Sequence, residues 1–433
     1  MSPLAMGLLG IGVLLAMLAC SMPVAFAMAV VGGAGLLALC GPTAALSAVA
    51  SDFYDMFSSQ GMTVVPLFIF MGQMTFHSGV STKLFHAAYC WLGWIRGGLA
   101  MATVGACAAF GTICGSGPAT AATMAAVALP EMRKFKYDNA LASGVVASGG
   151  GLGMMIPPSV VFIVYGILTE QSIGRLFIAG IVPGVLCAFL FCVVIAVWCR
   201  VNPKIAPGVA HVAWRERFAS LRGVWQIMLL FGLVMGGLFC GWFTPTEAAA
   251  VGAVGSVAVG AMGRGITWKK VRRAAEETVR MSCMVMMIIA GAQVFGHFLT
   301  ITELPTRLAA WLSSLPVATW VVALLVMLFY FSVGLFIDSL ALILLTVPIF
   351  YPLMKALGMD PIWFGVMIVL LAQMGVITPP VGVNVYVVNG VDRGIPMQTV
   401  FRGSMPFLFA LFFVAGLLLI FPGVATWLPN LAH

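Results

Sequence analysis

The chain has 433 residues, of which 62% are hydrophobic and 8% charged, against about 25% charged residues in a soluble domain. That excludes an ordinary soluble enzyme, because at roughly 20 apolar residues per crossing the length holds about ten to fourteen membrane helices and no sizeable water-soluble domain. The net charge of +8 does not imply a nucleic-acid partner, since Lys and Arg of membrane proteins collect in cytoplasmic loops.

Uninterrupted apolar runs over residues 4–18, 184–198 and 407–421 predict helices, whereas barrel strands alternate apolar and polar residues. The fold class is therefore an all-α polytopic membrane protein lying in lipid. The first run has no basic start and is read as a retained first helix. In chain order the first half predicts helices over 4–20 and 23–41, an amphipathic segment over 44–60 and a helix over 62–78. A hairpin over 98–131 that enters and returns, a helix over 137–170 broken near 150–158 and a long helix over 175–199 follow. The polar stretch 200–222 is a basic linker.

Beyond it the pattern repeats. A shift of 222 carries Pro23 onto Pro245, Gly33 onto Gly255, Pro130 onto Pro352, Asp138 onto Asp360, Gly153 onto Gly375 and Pro157-Pro158 onto Pro379-Pro380. Coincidence of so many rigid residues at one offset marks two homologous units, 1–199 and 223–433. The second unit then carries a hairpin over 317–356 and a broken helix over 361–391. With the hairpins re-entrant, each unit has five crossings, and an odd number inverts the second unit relative to the first. An N-terminus facing outward places eighteen of the 21 basic residues, including those of 200–222, on the cytoplasmic side and leaves Arg175, Arg307 and Lys355 outside, as the positive-inside rule requires.

Four segments carry the chemistry, in two matched pairs. The hairpin tips are Cys114-Gly115-Ser116-Gly117-Pro118-Ala119-Thr120 and Phe336-Ile337-Asp338-Ser339; the broken-helix segments are Ser148 to Ser159 and Gln373 to Asn384. Irregular backbone at membrane depth is tolerated only where protein covers it or it lines a cavity. Glycine and proline there leave carbonyls free to act as hard oxygen ligands for a small cation, and the half-helix N-termini that follow offer amides to an anion. A cation site beside an anionic-substrate site is the expectation.

Asp338 is the sharpest residue, because an ionised group at membrane depth costs about 2.5 to 3.5 kcal/mol and is usually functional. The same residue type also serves as an N-cap for the helix beginning at Ser339, and the two roles are compatible. Thr244-Pro245-Thr246-Glu247 reads as a capping box with proline at the first helical position. Ser116 and Thr120 are open between ligation and bonding back to helix carbonyls. The ten cysteines lack a CxxC spacing, and the five histidines share no spacing, so neither disulfide nor metal cluster is expected.

At these segments the chain resembles the large membrane subunit, of DctM type, of a tripartite ATP-independent periplasmic (TRAP) transporter. The stretches that carry the resemblance are Gly115-Ser116-Gly117-Pro118-Ala119-Thr120-Ala121-Ala122-Thr123-Met124, Ile156-Pro157-Pro158-Ser159 with Tyr165-Gly166, Thr244 to Ala248, and Thr378-Pro379-Pro380-Val381-Gly382-Val383-Asn384. In the first tip Gly117 and Pro118 follow Ser116, where the family often has a second serine.

The resemblance implies a sodium symporter of the bacterial inner membrane that imports organic acids such as C4-dicarboxylates or sialic acid. It also implies an elevator, with hairpins and broken helices as a transport domain moving against a scaffold. The implied partners are a small four-helix membrane subunit of DctQ type and a soluble periplasmic binding protein of DctP type. The implied first sodium site uses Ser116 with backbone oxygens near Gly149, Gly153 and Ile156. The second uses Asp338 and Ser339 with Gly375 and Thr378, and substrate lies between the tips near Ser159 and Asn384. Na⁺ is the transported coupling ion, and no organic cofactor is implied. A self-sufficient Na⁺-coupled carboxylate or anion transporter shares every physical feature above and is the alternative. An intramembrane protease lacks a second Asp or a His in a matching context, and the chain is read as no enzyme.

Overall fold

The computed structural model describes residues 2–20, 22–206, 213–262, 266–314 and 318–431, without the side chains of 309 and 312–314. His211, Arg264, His433, linker residues 207–212 and the first residue of the second predicted hairpin lie outside them. Among the described residues every regular element is helical. The first half builds α1 (Pro3–Ala19), α2 (Val24–Cys40), α3 (Pro42–Ser58), α4 (Val64–His77), α5 (Val80–Leu92), α6 (Gly98–Cys114), α7 (Gly117–Lys134), α8 (Asn139–Met155), α9 (Val160–Thr169) and α10 (Ile173–Val201). A short α11 (Trp214–Leu221) lies in the linker. The second half builds α12 (Trp225–Phe239), α13 (Pro245–Met262), α14 (Trp268–Ile301), α15 (Leu304–Ser314), α16 (Thr319–Gly334), α17 (Ser339–Ala356), α18 (Pro361–Gly375), α19 (Val383–Val391), α20 (Met397–Ile420) and α21 (Gly423–Leu431).

The two halves share their local logic. Asp138 caps α8 by accepting from the Ala140 and Leu141 amides at 2.9 and 3.3 Å, and Asp360 caps α18 by accepting from Ile362 and Trp363 at 2.7 and 3.2 Å. Each cap satisfies amides that a helix start leaves without an intrahelical partner. Both Pro157-Pro158 and Pro379-Pro380 are cis. Thr244 and Glu247 close the capping box of α13, with the Thr244 amide donating to Glu247 Oε2 at 2.8 Å and the Glu247 amide to Thr244 Oγ1 at 3.3 Å.

The halves differ in one large respect. The predicted amphipathic segment and the helix after it are separate in the first half, as α3 and α4 joined by a short turn at Gln60–Thr63. In the second half they fuse into α14, 34 residues long. The turn holds Ser59-Gln60-Gly61, whereas a shift of 222 places Met281-Ser282-Cys283 there, without the glycine that weakens a helix by about 1 kcal/mol. The helix α5 and its counterpart α15 were not expected from the apolar runs. Six helices among the described residues are long and apolar enough to cross a membrane, or eight if two bent pairs each count as one. Five further helices, α1, α2, α6, α16 and α18, are apolar but shorter.

Burial sorts the elements into an inside and an outside. Every residue of α8 from Leu141 to Met155 and of α18 from Ile362 to Gly375 is buried. By contrast α1 exposes Leu8, Leu9 and Leu15, and α12 exposes Met228, Leu229 and Leu233, a surface suited to lipid. The two broken helices are therefore wrapped by the rest of the chain, as irregular backbone in a membrane requires. The wrap includes a contact across the halves, where a Cβ on Gly144 of α8 would overlap the backbone of Gly403 of α20. We predict that Gly144→Leu destabilises the protein by about 3 kcal/mol, at the upper end of overpacking costs, while Gly12→Leu, with nothing within 4 Å, leaves the melting temperature unchanged. Thermal unfolding of the detergent-solubilised variants decides this, and equal melting temperatures would refute it.

Candidate functional site

The tip of each hairpin is held to the break of its own half by one backbone hydrogen bond. The Val160 amide donates to Gly115 O at 3.3 Å, and the Val381 amide donates to Leu335 O at 3.3 Å. Close approach accompanies each bond. A Cβ on Gly153 would stand 2.7 Å from Thr120 Oγ1 and 3.1 Å from Gly111 Cα, and one on Gly375 would overlap the carbonyl of Gly334. Glycine at both positions lets a hairpin helix and a broken helix touch at the backbone, which a side chain would prevent.

The break lies later than the glycine run suggested. Helix α8 continues through Ser148-Gly149-Gly150-Gly151 to Met155, and the helix is interrupted only from Ile156 to Ser159. The expectation of a break near 150–158 is corrected accordingly, because the glycines serve contacts between helices rather than an unwound segment. The carbonyl of Gly149 thus belongs to the helical ladder. The Ile156 amide closes α8 by donating to Leu152 O at 2.9 Å.

In the second half Gly375 O accepts from the Thr378 amide at 3.2 Å. Thr378 Oγ1 donates to Met374 O at 2.6 Å, so the hydroxyl keeps its lone pairs while its proton is used. Thr120 does the same, donating to Ser116 O at 2.7 Å. Asp338 caps α17, accepting from the Leu340 amide at 3.1 Å.

Both tips open on one cavity of about 190 Å³. Its lining takes Gly115 to Pro118 from the first tip, Asp338 to Leu340 from the second, Met154, Val160 and Val161 around the first break, Ile69 from α4, and Met281, Met284 and Val285 from α14. Among the predicted site residues, Ser116, Asp338 and Ser339 meet there. Asp338 is exposed, whereas Ser339 is buried with a hydroxyl that has no hydrogen-bond partner in the protein.

Ser159 and Asn384 are placed elsewhere. Both are fully buried and absent from the cavity lining. Asn384 links the halves by donating from Nδ2 to Ala147 O of α8 at 3.0 Å, which leaves Oδ1 without a partner, as is the Ser159 hydroxyl.

Two further polar residues received no role from the sequence. Ser148 and Gln373 are fully buried, and neither the Ser148 hydroxyl nor either polar atom of the Gln373 amide has a partner. A Cβ on Gly151 would stand 3.1 Å from Gln373 Nε2, so the amide lies against α8. Because buried polar groups are almost always satisfied, the Gln373 and Asn384 atoms against α8, with Ser148 of that helix, mark a polar centre between the broken helices. The signal available in the sequence was Gln373 itself, an amide within an apolar run from Ile362 to Met374.

The family described as "Tripartite ATP-independent periplasmic transporter, DctM component" matches residues 11–424. The chain belongs to that family. It is 38% identical over 370 residues to the C4-dicarboxylate TRAP transporter large permease protein of Pseudomonas aeruginosa, covering 85% of this chain and 86% of that one. It is 34% identical over 371 residues to the sialic acid TRAP transporter large permease protein of Vibrio cholerae, covering 86% of each. The solved structure of the Alcanivorax borkumensis YdaH transporter, described as having an unusual topology, superposes with a TM-score of 0.67 over 90% of each chain at 16% identity, a likeness of fold. These relatives are permease subunits of transporters, and this DctM-family chain is a multi-pass membrane protein and not an enzyme.

The cap and the charge of Asp338 can be separated by substitution. Asn caps as well as Asp, whereas Ala costs about 0.5 to 2 kcal/mol. We predict that Asp338→Ala lowers the melting temperature in Na⁺-free buffer and that Asp338→Asn does not. A matching loss in both variants would mean that the charge, not the cap, stabilises the tip.

Proposed function

We propose that this chain is the sodium-coupled permease subunit that imports an organic acid across the bacterial inner membrane. The observation that carries this reading is the single cavity onto which both hairpin tips open, bringing Ser116, Asp338 and Ser339 from two repeated units to one place. Two half-helices, α7 and α17, begin at that cavity, and their amide-rich N-termini suit a carboxylate while the tip oxygens suit Na⁺. Ser116 with carbonyls at Gly153 and Ile156 forms the first proposed ion site, and Asp338 and Ser339 with Gly375 and Thr378 form the second. Gly149, whose carbonyl lies in the helical ladder, is the weakest member of the first set.

The transport domain of this proposal is α6 to α9 with α16 to α19, moving as an elevator against the long scaffold helices, chiefly α14. The cavity is bounded on one side by the tips and on the other by Met281, Met284 and Val285 of α14, so it lies where the two bodies would slide. The N-terminus is placed in the periplasm and the linker 200–222 in the cytoplasm. Family membership supports partnership with a small four-helix subunit and a periplasmic binding protein. The C4-dicarboxylate and sialic acid relatives support an organic-acid cargo.

Uptake into proteoliposomes with an imposed Na⁺ gradient is predicted to require the small subunit and a cognate binding protein. Transport by the large chain alone would favour a self-sufficient carrier. In the complete system Asp338→Asn is predicted to reduce Na⁺-dependent uptake at least about tenfold, equivalent to about 1.4 kcal/mol, while leaving insertion unchanged. Unaltered Na⁺ activation in this variant would remove Asp338 from the site.

A further inference from the structure

We infer that the cargo of the tip cavity is a small monocarboxylate with an aliphatic tail rather than a dicarboxylate or a sugar acid. The inference rests on the transport reading above and narrows it. Three features of the lining carry it.

Charge comes first. Among the described residues no Lys, Arg or His lines the cavity, and the one ionisable side chain there, Asp338, is itself an acid. A substrate carboxylate must therefore be met by Na⁺ beside Asp338, by the amides at the starts of α7 and α17, and by the buried hydroxyl of Ser339, which is without a partner. That set suffices for one carboxylate. A second one would face Met154, Val161, Met281, Met284, Val285 or Ile69, and an unpaired charge against apolar groups is strongly disfavoured.

Polarity and size agree. Among the described residues Ser116, Asp338 and Ser339 supply the only polar side chains of the lining, too few to satisfy the several hydroxyls of a sugar acid. The cavity volume of about 190 Å³ lies below the roughly 300 to 1,000 Å³ of sites that hold larger ligands. The three methionines are flexible and polarizable, and such side chains mould to branched aliphatic groups.

The test measures binding to the purified complex of this chain with its small subunit in Na⁺ buffer, by ligand-induced thermal shift and competition, with isobutyrate, 2-oxoisovalerate, isovalerate, succinate and N-acetylneuraminate. A branched monocarboxylate is expected to bind at least about tenfold more tightly than succinate, with no shift from N-acetylneuraminate. Met284→Lys, at a position already 52% exposed and so tolerant of a long cationic side chain, is expected to raise succinate affinity about tenfold by supplying the missing charge. Succinate or N-acetylneuraminate binding to the unmodified chain as tightly as any monocarboxylate would overturn the inference and leave the transport reading standing. Absence of Na⁺-dependent binding for every acid tested would overturn both.

Discussion

A backbone cannot be left unbonded inside a membrane, and the architecture follows from how this chain meets that demand. Each hairpin tip is an irregular turn, and each broken helix has a gap with unpaired groups. The chain joins tip to gap, Gly115 O to the Val160 amide and Leu335 O to the Val381 amide. Gly153 and Gly375 make the approach close enough for that contact. Two defects in the helical ladder thus become one connected turn, and the remaining oxygens and helix N-termini are gathered at the cavity proposed above to hold an ion and an acid. The same connection exists in both halves, so a single local device, duplicated, yields a site with two facing sides.

The surrounding helices serve this centre. Because α8 and α18 are buried over almost their whole length, their polar residues meet protein rather than lipid, where unsatisfied groups cost several kcal/mol. Gln373, Ser148 and Asn384 can remain fully buried for that reason. The bond from Asn384 to Ala147 O couples the two halves directly. In the elevator proposed above, that bond would let a transport unit made from both repeats move as one body.

Duplication has not enforced identity. The turn between α3 and α4 has no counterpart in α14, so one half contributes a jointed arm and the other a rigid rod. That rod supplies Met281, Met284 and Val285 to the cavity. Two histidine contacts tie it to the first half, His77 to Glu277 at 2.9 Å and His297 to Asp52 at 3.0 Å. They lie 20 residues apart on α14, about 30 Å at the helical rise of 1.5 Å per residue, so the rod is fastened near both of its ends. The asymmetry places a stiff wall beside symmetric tips.

Much of this was legible in the sequence. Scarcity of charge specified a helical membrane protein, and the recurrence of Pro, Gly and Asp at a shift of 222 gave the repeats, their caps and the four segments of interest. Those features are local, set by residue type and spacing, so no tertiary information was needed. The position of the first break was misjudged because glycine has two uses that a sequence does not separate, loosening a helix and letting another helix come close. Gly149 to Gly151 serve the second. The distribution of the polar residues was likewise a tertiary decision. Ser116, Asp338 and Ser339 share a cavity, whereas Asn384 and Gln373 pack against α8 and Ser159 is buried outside the cavity, because helix crossings, and not spacing along the chain, decide which side chains face one another.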